Sequence, residues 1–97
     1  MKEQENRKKA YTLSIEGRVQ GVGFRYSAIE AAKRYGVTGW VRNEPDGSVS
    51  AYCEGSADSA DRFVNWCRTG PPMAYVTDVH VQEVPFRGRY SDFSAVV

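Results

Sequence analysis

Apolar residues along this chain switch repeatedly between two spacings, and that switching limits the folds open to it more than any single motif does. From Ala10 onward, Leu13, Ile15 and Val19 are interleaved with Thr12, Ser14, Glu16 and Arg18. That is the alternation of a strand with one buried face. Ala28, Ile29, Ala32 and Tyr35 then recur at helical spacing, and Gly36 stands where a helix C-cap belongs. Val37 to Asn43 reads as a second strand and Glu44-Pro45-Asp46-Gly47 as a turn. A third strand runs from Ser48 to Glu54, with Val49, Ala51 and Cys53 on one face. Ser56 caps a second helix whose apolar stripe is Ala60, Phe63, Val64 and Cys67, and Gly70-Pro71-Pro72 ends it. Val76 to Val84 alternates again, and Phe93 to Val97 supplies a short last strand.

Strand, helix, strand, strand, helix, strand within 97 residues leaves room for one core. The order predicts an α+β, ferredoxin-like βαββαβ sandwich, with two helices on one face of a mostly antiparallel four- to five-stranded sheet. Residues 1–9 are a charged extension expected to fray, and 10–97 form the domain. Thirteen basic and twelve acidic residues give a net charge of +1, which argues against nonspecific nucleic-acid binding. The longest apolar run, Met73 to Val76, is four residues, so no membrane partner is expected. With no export signal and only two cysteines, Cys53 and Cys67, a cytoplasmic location with both thiols reduced and buried is expected.

The segment richest in chemistry joins the first strand to the first helix: Val19-Gln20-Gly21-Val22-Gly23-Phe24-Arg25. A glycine turn opening a helix aims main-chain N–H groups into one concavity, where the helix dipole also favours an anion. Arg25 in the first helical turn adds a guanidinium fork suited to a phosphoryl group. From spacing alone, a plain tight turn with a solvated Arg25 fits equally well. Neither the nucleotide-triphosphate loop nor the dinucleotide fingerprint is present, because no Lys-Ser or Lys-Thr follows and residue 26 is Tyr. No Cys precedes the loop to act as a thiolate nucleophile. The second segment is Gly39-Trp40-Val41-Arg42-Asn43-Glu44-Pro45-Asp46-Gly47. Asn43 ends its strand, where a carboxamide can hold one water by donating and accepting at once. Taken alone, Asn43 reads more readily as an ordinary turn residue than as a water-holding one, and Trp40 reads as core.

Together the two segments resemble the acylphosphatase family. The first fits its Gly-x-Val-Gln-Gly-Val-x-Phe-Arg pattern and the second its Gly-Trp-Val-Arg-Asn-x-x-Asp-Gly pattern. Weaker matches at Gly55, Gly70-Pro71-Pro72, Ala74, Val76, Tyr90 and Phe93 extend the likeness over residues 10 to 97. The resemblance implies the same ferredoxin-like fold and hydrolysis of acyl phosphates. It also implies that residues 19–25 bind phosphate, through Arg25 above all, and that Asn43 positions the attacking water. The expected partners are a small acyl phosphate and inorganic phosphate, the latter as product and inhibitor, and a monomer is expected. The leaving carboxylate is stable at neutral pH and needs no proton, so neither a general acid nor a metal or other cofactor is expected. No ligand cluster is visible in the sequence: the one histidine, His80, stands alone in an alternating strand and reads as structural or exposed.

Two other readings stay open. One is a ferredoxin-like RNA-binding domain, with Tyr52 as its single candidate stacking residue. The other is a non-catalytic anion-binding module that keeps the phosphate cradle and lacks turnover. Arg18 and Arg42 read as solvated charges able to draw an anion toward the pocket.

Overall fold

Alternation along Leu13, Ile15, Val41, Val49 and Ala51 makes one face of each central strand apolar, and that face becomes the floor of the core. The computed structural model describes residues 7–97. The elements run β1 (Lys8–Arg18), α1 (Phe24–Tyr35), β2 (Thr38–Asn43), β3 (Val49–Ser56), α2 (Ala57–Cys67), β4 (Tyr75–Val84) and β5 (Phe93–Val96). The strands form one sheet in the order β4-β1-β3-β2-β5. β1 pairs antiparallel with β3 and β4, and β2 antiparallel with β3. β5 lies parallel to β2 at the edge. This is the expected ferredoxin-like α+β arrangement with its fifth strand. No helix among the described residues is long and apolar enough to cross a membrane.

Both helices cover one face of the sheet. α1 packs on β2 and β5, α2 packs on β1 and β3, and the two helices touch. Phe63 of α2 is fully buried, with its ring centroid 5.2 Å from that of Phe93 on β5. Phe24, the first residue of α1, lies 5.4 Å from the Trp66 ring. Each such ring contributes roughly 1.5–3 kcal/mol by leaving water. Gly70 lets the Phe24 ring close in, because a Cβ there would come 2.8 Å from Phe24 Cε2. The start of α1 is thereby fixed to the end of α2. Cys53 and Cys67 are both free and buried in this core. Burial pushes the Cys53 thiol up to about 12 and the Cys67 thiol well above its ordinary range.

Local signals give the helix ends. The Ser56 hydroxyl accepts from the Ser59 N–H at 3.1 Å, as predicted for the cap of α2. Gly36 closes α1 with φ 83° and donates to the Ala32 carbonyl at 2.8 Å.

Three expectations change. The first strand starts at Lys8, not Ala10, because Lys8 and Lys9 pair with Ser56 and Gly55 of β3. The rest of the charged extension, residues 1–6, lies outside the described residues. Trp40 is not core: it points to the helix-free face of the sheet, half-buried and stacked on Tyr52 with centroids 6.5 Å apart. Tyr52 in turn is buried, held between Trp40 and Tyr90, and presents no open ring for a base.

Candidate active site

The loop between β1 and α1 is shaped by its glycines. Gly21 has φ 73° and Gly23 φ 79°, while Val22 between them has negative φ. This alternation turns successive N–H groups toward one side, the geometry of an anion nest. Gly23 is the N-cap of α1, so no side chain caps the helix, and its first turn holds no acidic residue. Among the described residues, no main-chain carbonyl accepts from the amides of residues 20–26. Those donors, together with the positive end of the helix dipole, face a shallow cleft.

The cleft has a volume of about 400 Å³. Gly21, Gly23, Arg25 and Asn43 line its polar end, over the buried Val19 and Phe24. Arg25 is exposed, and among the described residues no carboxylate pairs with it. Asn43 is the last residue of β2. It shares the helix-side face with buried Val41. It stands one step past the end of the covered core, so its carboxamide enters the cleft instead of the interior. The fold therefore brings together the two residues that carry the sequence expectation. Ile29, Tyr26 and Ala95 also line it.

Comparison with known proteins gives the family and the fold. The acylphosphatase family model matches residues 11–95. The chain belongs to the acylphosphatase family. It is 48% identical to an acylphosphatase of Methylococcus capsulatus, over 84% of this chain and 89% of that one. Its fold is similar to the crystal structure of the Bacillus subtilis acylphosphatase, with TM-score 0.87 and 37% identity over 92% of this chain and 99% of that one. An acylphosphatase structure from Coxiella burnetii gives TM-score 0.88 and 34% identity, covering 99% and 100%.

Within this family member, not every residue of the 19–25 segment faces the cleft by its side chain. The Gln20 carboxamide turns away and donates to the carbonyls of Glu44 at 2.8 Å and Ser48 at 2.9 Å. It thus ties the glycine loop to the β2–β3 turn, directly behind Asn43. The Val22 side chain packs on the core. Only the amides of these two residues remain to act on a ligand. The turn is tied within itself: Asp46 accepts from the Ser48 N–H at 2.9 Å and the Ser48 hydroxyl at 2.7 Å. Those bonds hold its carboxyl below the usual range. Arg42 is not a free charge. Its Nε lies 2.9 Å from Glu44 Oε2, and its guanidinium sits 5.1 Å over the Trp40 ring, on the face away from the cleft. Hydrogen bonds from the Ser50 hydroxyl and from Arg42 hold the Glu44 carboxyl below its ordinary value.

The sequence reading missed two sets of residues. Ile29 was assigned to the core stripe, and Tyr26 and Ala95 carried no assignment. An aromatic next to Arg25, three residues before Ile29 on the same helix face, is the available signal. The second set is Glu16, Asp78 and His80, whose ligating atoms all lie within 4.8 Å of one another. His80 Nε2 is 3.2 Å from Glu16 Oε2 and 3.4 Å from Asp78 Oδ2. Pairing of β1 with β4 gathers them, which sequence spacing does not reveal. The trio is exposed on the helix-free face and shares nothing with Arg25 or Asn43.

Proposed function

We propose that this chain hydrolyses the carboxyl–phosphate bond of acyl phosphates, with Arg25 and the 19–25 loop holding the phosphoryl group and Asn43 aiming the attacking water. The reaction is that of its family. What supports the residue roles is one observation: Arg25 and Asn43, distant in sequence, line one cleft at an uncapped helix N-terminus.

The chemistry asks for little more. Phosphoryl transfer depends mainly on placement and charge stabilisation. Loop amides and the guanidinium fork bind the phosphoryl oxygens as charge shifts among them. The Asn43 carboxamide orients a water in line with the bond that breaks. The water oxygen bonds to phosphorus and the P–O bond to the acyl group breaks. The acyl oxygen keeps the electron pair and departs as a carboxylate, which needs no proton at neutral pH. Asn43 is not basic, so the water's proton passes to a phosphoryl oxygen. No step calls for a metal.

The test is release of inorganic phosphate from acetyl phosphate in excess chelator. Turnover, with competitive inhibition by inorganic phosphate, is the expected result. Absence of turnover with intact phosphate binding identifies a non-catalytic anion module instead. Dependence on added magnesium overturns the mechanism.

A further inference from the structure

The helix-free face of the sheet carries a group of side chains that the hydrolysis does not use. β4 is an edge strand beside β1. Their register sets Glu16 directly opposite Asp78, and Ser14 opposite His80. Asp78 and His80 are two residues apart, so both share one face with Glu16. Two carboxylates directly opposite each other repel. Among the described residues neither meets a lysine or an arginine. What they meet is His80, the only histidine of the chain. Its Nε2 lies 3.2 Å from Glu16 Oε2 and 3.4 Å from Asp78 Oδ2. All three ligating atoms lie within 4.8 Å of one another.

Those separations suit a metal ion. A tetrahedral ion with bonds of about 2.0–2.2 Å holds neighbouring ligand atoms about 3.3–3.6 Å apart. Two of the three edges are close to that length, and the exposed side chains can rotate to close the third. Asp78 Oδ1 accepts from the Val79 N–H at 2.9 Å, which leaves Oδ2 as the free donor and sets its direction. Beside His80 is a hollow of about 310 Å³, lined in part by Thr12, Ser14 and Gln82. It has room and polar partners for a water that completes the coordination.

We propose that Glu16, Asp78 and His80 bind one divalent transition-metal ion of borderline softness, of which zinc is the type, and that the ion clips β4 to β1. An imidazole among the ligands selects against magnesium and calcium, which take oxygen. The ion would neutralise the facing carboxylates and join two strands, so its binding adds to stability. It is no cofactor of the hydrolysis. The site lies on the other face of the sheet from Arg25 and Asn43, and it stands whether or not the reading of that cleft holds. Cys53 and Cys67 do not compete for the ion, because both are buried.

The test is calorimetric titration of the untagged chain, stripped with chelator, with zinc chloride and separately with magnesium chloride. His80→Ala, Asp78→Asn and Glu16→Gln are titrated beside it. The natural chain should bind one equivalent of zinc, about tenfold or more tighter than magnesium. Each substitution should weaken zinc on the order of tenfold or more. Saturating zinc should raise the Tm of the natural chain and leave that of His80→Ala unmoved. Nickel, a paramagnetic ion of the same class, should broaden the proton resonances of the single imidazole. That last readout needs no variant, so it decides even where a substitution disturbs the fold. Zinc binding that survives His80→Ala, magnesium binding as tightly as zinc, or sharp imidazole resonances in nickel each overturn the proposal. The trio is then a polar cluster and no metal site.

Discussion

The chain builds a cradle of main-chain N–H groups twice, once on each face of its sheet, and uses the two in opposite ways. On the helix-free face, Glu54 is buried, and its Oε1 accepts from the Tyr52 hydroxyl at 2.8 Å and from the amides of Arg87 at 3.3 Å and Gly88 at 3.1 Å. Burial pushes its carboxyl up, but the hydroxyl and the amides outweigh burial and hold it below the ordinary range. Burial and the Glu54 carboxylate push the Tyr52 phenol up to about 12, so it stays a donor. On the helix side, the glycine loop offers the same kind of donors with no carboxylate of the described chain to receive them. Where the protein supplies its own anion, the cradle staples the 85–92 segment to the sheet. Where it does not, the cradle is left for an anion from outside. The same local chemistry serves stability in one place and, as proposed above, binding in the other. The difference is whether a chain carboxylate arrives.

That contrast can be broken from either side. The largest effect is expected for Arg25→Ala, which should raise KM and lower kcat/KM by about 150-fold or more, a loss of about 3 kcal/mol. Its urea midpoint should not move, because Arg25 is exposed and unpaired. Arg25→Lys should recover little, since the planar fork is lost. Steady-state kinetics with acetyl phosphate beside urea denaturation checks this, and a stability loss matching the activity loss would erase the contrast. Asn43→Ala should lower kcat on the order of 50-fold, while calorimetry still detects bound inorganic phosphate. If phosphate binding disappears instead, Asn43 belongs to the grip and not to the water.

Glu54→Gln should behave in the reverse manner, costing about 2 kcal/mol of stability with acyl phosphate turnover retained. Its pH signature has a definite sign. A carboxyl lowered in the folded state adds stability above its unfolded value, about 4.3, and that stability is lost as pH falls through the lower folded value. Urea midpoints measured from about pH 5 to pH 3 should therefore fall more steeply in the natural chain than in Glu54→Gln. Inorganic phosphate at about ten times its Kd should stabilise the natural chain by about 1.4 kcal/mol, read as a rise in Tm that is absent in Arg25→Ala. The smallest effect is expected for Gln20→Ala. Losing two donors to the turn should cost about 1 kcal/mol and lower kcat roughly three- to tenfold through a misplaced Asn43, with KM nearly constant.

Much of the site is readable in the sequence because its parts are local. A glycine-spaced loop that opens a helix marks a candidate anion site with Arg25 in its first turn, and only the second motif, ending in Asn43, lifts that reading above a plain tight turn. Strand alternation likewise assigns Asn43 to the face of Val41. Trp40 and Tyr52 resist such reading: one reads as core and the other as an open stacking ring, yet they share the second face, and the returning 85–92 segment with Tyr90 covers Tyr52 there. Gln20 resists it for a different reason. Its carboxamide partners, Glu44 and Ser48, are more than twenty residues away.

The sequence by itself determined the element order, the donor-rich loop, and the identities of the guanidinium and carboxamide proposed for the reaction. Periods of 2.0 and 3.6 residues and the φ freedom of glycine are properties of short stretches of chain. The tertiary structure alone decided that Ala95 of β5 lines the cleft with Tyr26 of α1, that Glu54 meets the amides of Arg87 and Gly88, and that Glu16, Asp78 and His80 converge. Each of these depends on which strands lie side by side, and strand neighbours are chosen by burial summed over the whole sheet and not by any local preference.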